Sequence, residues 1–130
     1  NNARAAVVTR GLGEIAKIGV QMGADPITFL GLSGVGDLIL SCTSDLSRNR
    51  QFGFRLSQGE SQEDIFASMQ GVIEGITTAQ SAYQLCRKLG LQSSVLHTAY
   101  CVLYEGLPIR EAVDSLINKE QGGEFQWMKP

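Results

Sequence analysis

Residues 35–43 read Val-Gly-Asp-Leu-Ile-Leu-Ser-Cys-Thr, and their apolar run Leu38-Ile39-Leu40 fits either a short strand or one side of a helix. Helical spacing of apolar residues on both sides of this segment favours a helix from about Val35 to Thr43. Before it, a helix over about Asn2 to Met22 stops at Gly23, because glycine readily adopts a left-handed conformation. Asp25-Pro26 then begins a short helix that reaches about Leu30, with proline at its first position.

The rest of the chain is also predicted to be helical. Two further helices are predicted in the middle of the chain, one over Ser47 to about Ser57 and one from Ser61 with Phe66 and Met69 on its inner face. Three more are predicted after them: over Thr77 to Leu89 with a stop at Gly90, from Ser93 or Ser94 to about Glu105, and from Pro108 to about Asn118. Gly31 to Gly36 is predicted to be a turn, and Gly71 to Gly75 an irregular connector. We therefore predict a single all-α domain of seven or eight helices over residues 1–130, with an irregular tail over 121–130.

The composition is typical of one soluble globular domain. The chain has 130 residues, 43% of them hydrophobic, and a net charge of −2, which argues against general nucleic-acid binding. No apolar run approaches the roughly 20 residues that a membrane span needs, and no secretory leader is recognisable. These features predict a cytoplasmic protein.

Three cysteines, Cys42, Cys86 and Cys101, show no paired spacing and no neighbouring histidine cluster. We therefore expect neither a disulfide framework nor a metal site, which agrees with a reducing compartment. The chain begins at Asn1, without an initiator methionine and inside a predicted helix, so we expect it to be a fragment of a longer protein.

The segment Ser47-Arg48-Asn49-Arg50 is the strongest candidate binding site. The free N–H groups of a first helical turn carry partial positive charge, and an anion can bridge them to an arginine guanidinium. Asn49 adds amide donors. The spacing alone leaves an alternative open, in which this is a capped, solvated helix start that binds nothing.

Two carboxylates are further candidates. Asp37 could orient a catalytic amine, or could only stabilise the positive end of its own helix. Glu74 could accept hydrogen bonds from a ribose or an amide, or could be an exposed loop carboxylate. His97 has no evident acidic or nucleophilic partner in the sequence and is predicted to be a surface or satisfied interior histidine. The glycines of residues 31–36 do not form the GxGxxG fingerprint of a dinucleotide site.

Several segments together resemble a known family. These are Asn2-Ala3-Arg4-Ala5-Ala6, Thr9-Arg10-Gly11-Leu12, Gly23 to Phe29, Gly36-Asp37-Leu38, Cys42 to Gly53, Val72-Ile73-Glu74-Gly75 and Leu103-Tyr104-Glu105-Gly106. Over nearly the whole chain except the tail, they resemble the C-terminal, substrate-binding domain of bacterial NAD(P)-dependent glycerol-3-phosphate dehydrogenases. That family's helical domain is similar to the C-terminal domain of 6-phosphogluconate dehydrogenase, which agrees with the all-α prediction.

The resemblance implies a reaction and a substrate site. The family reduces dihydroxyacetone phosphate to sn-glycerol 3-phosphate with NADH or NADPH, which feeds phospholipid synthesis. By motif, Asp37 is similar to the acid beside the catalytic lysine, and Ser47, Arg48 and Asn49 are similar to substrate contacts. Arg50 receives no role from the resemblance.

The resemblance also implies a cofactor site that is mostly absent. Arg48 is similar to a residue that also contacts the cofactor, and Val72 and Glu74 are similar to the family's nucleotide-binding pair. The family's catalytic lysine and its Rossmann domain lie before the position of Asn1, so we expect this chain to be inactive alone. The preference for NAD or NADP lies in that other domain, and a homodimer stays open.

Two alternatives remain at this point. The chain could be the helical domain of a related dehydrogenase with another substrate, or a non-catalytic helical interaction module.

Overall fold

The computed structural model describes residues 2–118, and all regular elements in this range are helices. They are α1 (Asn2–Gln21), α2 (Asp37–Thr43), α3 (Arg48–Ser57), α4 (Gln62–Ser68), α5 (Glu74–Leu89), α6 (Ser94–Tyr104) and α7 (Ile109–Asn118), with a 3₁₀ helix (Pro26–Leu30) and a π-helical turn (Leu32–Gly36) between α1 and α2. The predicted all-α class is confirmed, and the apolar run at residues 38–40 is helical. The tail predicted over 121–130 lies outside the described residues.

Local capping signals place several helix ends where the sequence predicts them. The Ser47 hydroxyl accepts a hydrogen bond from the Arg50 N–H at 3.3 Å, and the Ser61 hydroxyl accepts one from the Asp64 N–H at 3.1 Å. Left-handed glycines follow three of the helices: Gly23 (φ +95°), Gly59 (φ +90°) and Gly90 (φ +67°). These ends depend on neighbours within one turn, and such neighbours are visible in sequence.

The glycine-rich segment at residues 31–36 is not the predicted turn. Its residues form a π-helical turn that runs directly into α2. Gly34 is buried against the backbone of Phe29, and a Cβ at Gly34 would overlap the Phe29 carbonyl oxygen. Position 34 therefore requires glycine because two backbones approach closely there.

One hydrophobic cluster joins α3, α4 and the start of α5. Phe52, Ile65 and Ile73 are buried in it. The half-buried residues packed against this cluster are Leu56, Met69, Ile76 and Leu103. The prediction that Phe66 faces inward is wrong, because Phe66 is 46% exposed and stacks on Phe52 at the edge of the cluster. The inward residue of α4 is Ile65, which is 0% exposed. The cluster fixes the starts of α3 and α5 next to each other.

A contact between α1 and the start of α6 replaces the predicted serine cap. Ser93 precedes α6 but forms no side-chain capping bond within it. Instead, the Glu14 carboxylate of α1 accepts hydrogen bonds from the N–H of Val95 at 2.8 Å and the N–H of Leu96 at 3.1 Å. It also accepts from the hydroxyls of Ser93 and Ser94. A carboxylate 79 to 82 residues away in sequence thus caps the helix.

The glycines of α1 differ in their surroundings. Gly13 is buried, and a Cβ at Gly19 would overlap the Phe29 ring, so both agree with the close packing that glycine permits. Gly11 has no atom within 4 Å of the place where a Cβ would be.

No helix of residues 2–118, α1 included, is long and apolar enough to cross a membrane.

Replacing Gly11 with alanine should therefore stabilise this chain, by roughly 0.5–1 kcal/mol, because alanine loses less backbone entropy in a helix interior. Urea unfolding of the 130-residue chain measures the change. Gly19→Ala is the matched control in the same helix, and it should destabilise the chain because the new methyl group meets the Phe29 ring. Equal midpoints for the two variants would contradict this account of α1.

Candidate functional site

The starts of α3 and α5 and the C-terminal half of α2 surround a cleft of about 390 Å³. The residues that line it are Leu40, Ser41, Ser44, Leu46, Ser47, Arg48, Asn49, Val72 and Glu74. Five of the six predicted site residues are among them, although they come from two segments of the sequence. The structure thus brings the predicted substrate and nucleotide residues to one place, while their roles remain predictions.

The turn before α3 presents the helix start to the cleft. Ser44 organises this turn, because its hydroxyl accepts from the Leu46 N–H at 3.2 Å and its carbonyl accepts from the Ser47 N–H at 3.1 Å. The Ser47 hydroxyl then caps the N–H of Arg50. The N–H groups of Arg48 and Asn49 have no acceptor within the helix, so they are available to an anion in the cleft.

The two arginines of this turn point to different partners. The Arg48 guanidinium lies beside Gly71 and lines the cleft. The Arg50 guanidinium instead forms an ion pair with Asp45, with 2.6 Å between Nη1 and Oδ1. Asp45 is 90% exposed, so this pair contributes little to stability. Arg48 is therefore the arginine that can bind an anion in the cleft.

Asn49 connects α3 to α5. Its Oδ1 atom accepts a hydrogen bond from the Gly75 N–H at 3.0 Å. The amide nitrogen forms no hydrogen bond within residues 2–118, so it remains a donor for a bound molecule. The same residue also borders two adjoining cavities, of about 320 and 590 Å³.

The connector at residues 71–75 is shorter than predicted. Helix α5 begins at Glu74, three residues before the predicted start at Thr77, so Glu74 lies in a first helical turn. Val72 is 67% exposed at the cleft, whereas Ile73 is buried in the core beneath it. In the connector, buried Ile73 therefore lies between Val72 and Glu74, which line the cleft.

Asp37 does not line this cleft. It is an exposed residue at the start of α2, and α2 reaches the cleft through Leu40, Ser41 and Ser44 at its other end. The π-helical turn continues into α2 and already binds the Asp37 N–H, so Asp37 does not stand at a free helix start, and its role beside a lysine stays a prediction. Ser41 and Ser44 are cleft residues that were not predicted, although their spacing of three residues indicates one helix face.

The cysteines and the histidine offer no nucleophile or metal site here. Burial raises the pKa of the Cys42 thiol, and the nearby Arg4 offsets this only in part, so the thiol stays protonated near neutral pH. His97 is exposed and lies edge-on to Tyr83, 5.5 Å between ring centroids, away from the cleft residues. Within residues 2–118, no group of three or more histidine, cysteine or carboxylate side chains could hold a metal ion.

The chain is similar to known proteins over almost its whole length. The family described as NAD-dependent glycerol-3-phosphate dehydrogenase C-terminus matches residues 1–114. The chain belongs to this family. A glycerol-3-phosphate dehydrogenase (NAD(P)+) of Geobacter sp. strain M21 is 47% identical over 95% of the chain, and one of Streptococcus mutans is 49% identical over 99%.

A solved structure shows the same fold. The crystal structure of glycerol-3-phosphate dehydrogenase from Coxiella burnetii matches 92% of the chain with a TM-score of 0.89 and 34% identity. The chain spans about 37% of the length of that protein and of the Geobacter relative.

Proposed function

We propose that the chain is the substrate-binding helical domain, over residues 1–130, of an NAD(P)-dependent glycerol-3-phosphate dehydrogenase. The parent enzyme would interconvert dihydroxyacetone phosphate and sn-glycerol 3-phosphate in the cytoplasm, for glycerophospholipid synthesis. The observation that carries the proposal is the cleft in which Ser47, Arg48 and Asn49 present a helix start and a guanidinium together.

The substrate phosphate would bind at the start of α3. The N–H groups of Arg48 and Asn49 and the Arg48 guanidinium are all donors, and together they suit a dianionic phosphate. Holding the phosphate fixes the position of the carbonyl carbon, so binding energy distant from the reacting atom supports catalysis. An exposed helix start without a ligand would leave Arg48 near the positive end of the helix without compensation.

The cleft also suits part of a nicotinamide dinucleotide. Glu74 offers a carboxylate to ribose hydroxyls, Val72 offers backbone groups on an exposed segment, and Arg48 offers a positive charge to a phosphate. The cofactor supplies the hydride when bound, and most of its contacts would come from an N-terminal Rossmann domain of the longer protein. Asp37 would tune a catalytic lysine in the same longer protein, through a charge-assisted hydrogen bond.

An assay of the full-length protein tests the proposal. It should oxidise NADH or NADPH when given dihydroxyacetone phosphate, and far more slowly with dihydroxyacetone, which lacks the phosphate. The 130-residue chain alone should show no turnover under the same conditions. Equal rates with and without the phosphate would contradict the proposed substrate, and turnover by the chain alone would contradict its role as one part of the site.

A further inference from the structure

We infer that Gly75 and Gly71 are positioning residues that hold Asn49 and Arg48 in the orientations that binding requires. The inference rests on the proposed function and adds two residues to it. The two glycines enclose Val72 and Glu74 in sequence, and each lies against one side chain of α3. The connector at residues 71–75 and the start of α3 thus contact each other through these two pairs of residues.

Gly75 sets the orientation of the Asn49 amide. Helix α5 has no side-chain cap of its own, since Ile73 precedes it, and the Asn49 Oδ1 atom takes this place by accepting from the Gly75 N–H. Only the oxygen of an amide can accept this bond, so the Asn49 NH₂ group is the part that can still donate to a bound molecule. Asn49 is therefore a donor in the site, and a donor suits a phosphate or hydroxyl oxygen of the substrate.

The missing side chain of Gly75 makes this contact possible. A Cβ there would lie 2.7 Å from Asn49 Oδ1 and 3.0 Å from its Cγ. The short Asn49 side chain would have to rotate away and would lose its bond to α5. Alanine suits a helix better than glycine, which offsets part of the lost cap, so the melting temperature of Gly75→Ala is measured beside its activity.

Gly71 sets the position of the Arg48 side chain in a similar way. A Cβ at Gly71 would overlap the Nη1 atom of the Arg48 guanidinium, and the backbone there has a φ of +86°. The guanidinium is the mobile end of a long side chain, so a methyl group would displace it. The missing side chain at Gly71 thereby leaves the space that the guanidinium occupies beside the connector.

The first test is the Gly75→Ala substitution in the full-length dehydrogenase. It should raise KM for dihydroxyacetone phosphate about three- to tenfold, with a smaller change in kcat, since Asn49 loses its orientation and not its chemistry. Gly53→Ala is the matched control, because Gly53 lies in α3 and has no atom within 4 Å of the place where a Cβ would be. It should leave KM unchanged.

A double-mutant cycle shows whether Gly75 acts through Asn49. The variant Asn49→Ala, Gly75→Ala should be no worse than Asn49→Ala alone. Asn49→Asp provides a second test, because it keeps an acceptor for the Gly75 N–H but replaces the donor with a negative charge. It should keep the melting temperature and lose about tenfold or more in kcat/KM. Additive effects in the cycle, or normal activity of Asn49→Asp, would overturn the inference for Gly75.

Gly71 is tested against another left-handed glycine. Gly59 has a φ of +90° and no atom within 4 Å of a Cβ, so Gly59→Ala carries the backbone strain alone. Gly71→Ala should raise KM roughly two- to fivefold beyond Gly59→Ala, at a similar loss of thermal stability. Equal KM values would overturn the role of Gly71. Normal activity of both Arg48→Ala and Asn49→Ala would instead contradict the proposed function itself.

Discussion

Replacing Arg48 with alanine in the proposed full-length dehydrogenase is expected to lower kcat/KM for dihydroxyacetone phosphate by roughly ten- to 150-fold. The range corresponds to about 1.5–3 kcal/mol, the usual contribution of a hydrogen bond to a charged group. Arg48 is exposed at the cleft, and its guanidinium forms no ion pair within residues 2–118, so its charge is available to the substrate. Steady-state kinetics with varied substrate measure the effect.

Two controls separate phosphate binding from a general loss of charge. Arg50→Ala removes a neighbouring arginine whose partner is Asp45, so it should change kcat/KM little. Arg48→Lys keeps the charge but loses the planar pair of donors, and it should be intermediate. With dihydroxyacetone as substrate, the Arg48→Ala variant should lose much less relative to the unmodified enzyme. An unchanged kcat/KM with the phosphorylated substrate would exclude Arg48 as a phosphate contact.

The parts of the fold that are predictable from sequence depend on local interactions. Ser47 and Ser61 cap helices through N–H groups three residues away, and Gly23 and Gly90 end helices through their own backbone conformation. The helix at residues 37–43 follows from its helical surroundings, because three apolar residues alone do not distinguish a helix from a strand. Such signals lie within one or two turns.

The errors arise where distant residues decide the structure. Helix α5 begins three residues early because Asn49, 26 residues before Gly75, caps it. A helix as short as α4 has too few residues to fix its rotation from sequence, so the pattern does not distinguish Phe66 from Ile65 as the inward residue. In both cases tertiary packing overrides the local pattern.

The candidate site is predictable in its residues but not in its geometry. The family resemblance points to Ser47, Arg48, Asn49, Val72 and Glu74, and no periodicity could show that they share a cleft. Neither could it show that Asn49 holds the connector, or that Ser41 and Ser44 complete the lining. These contacts depend on the core beneath α3 and α5.

Replacing Glu14 with alanine should lower the free energy of unfolding by about 2–4 kcal/mol, since a charged cap and its hydrogen bonds are lost together. Its carboxylate accepts from two backbone N–H groups and two hydroxyls at the start of α6. Helix α6 has no capping side chain of its own, so these donors would be left without an acceptor from the protein. Urea unfolding of the 130-residue chain measures the loss.

The effect should be localised as well as large. Hydrogen exchange at the amides of Val95 and Leu96 should become faster in Glu14→Ala, because their N–H groups lose their acceptor. Glu14→Gln keeps one acceptor oxygen and should lose about half as much. Glu63→Ala removes an exposed glutamate from the first turn of α4 and should cost less than about 1 kcal/mol. A Glu14→Ala variant no less stable than Glu63→Ala would contradict the cap.

The cap also connects the far side of the domain to the cleft. Helix α6 contributes Leu103 to the cluster around Phe52 and Ile73, and that cluster holds the starts of α3 and α5 together. A loosened α6 should therefore relax the contact between Asn49 and Gly75, although Glu14 itself does not line the cleft. In the proposed full-length dehydrogenase, Glu14→Ala should raise KM for dihydroxyacetone phosphate at temperatures well below the unfolding midpoint of that variant. A lower midpoint with an unchanged KM would show that the cluster holds both helix starts without α6.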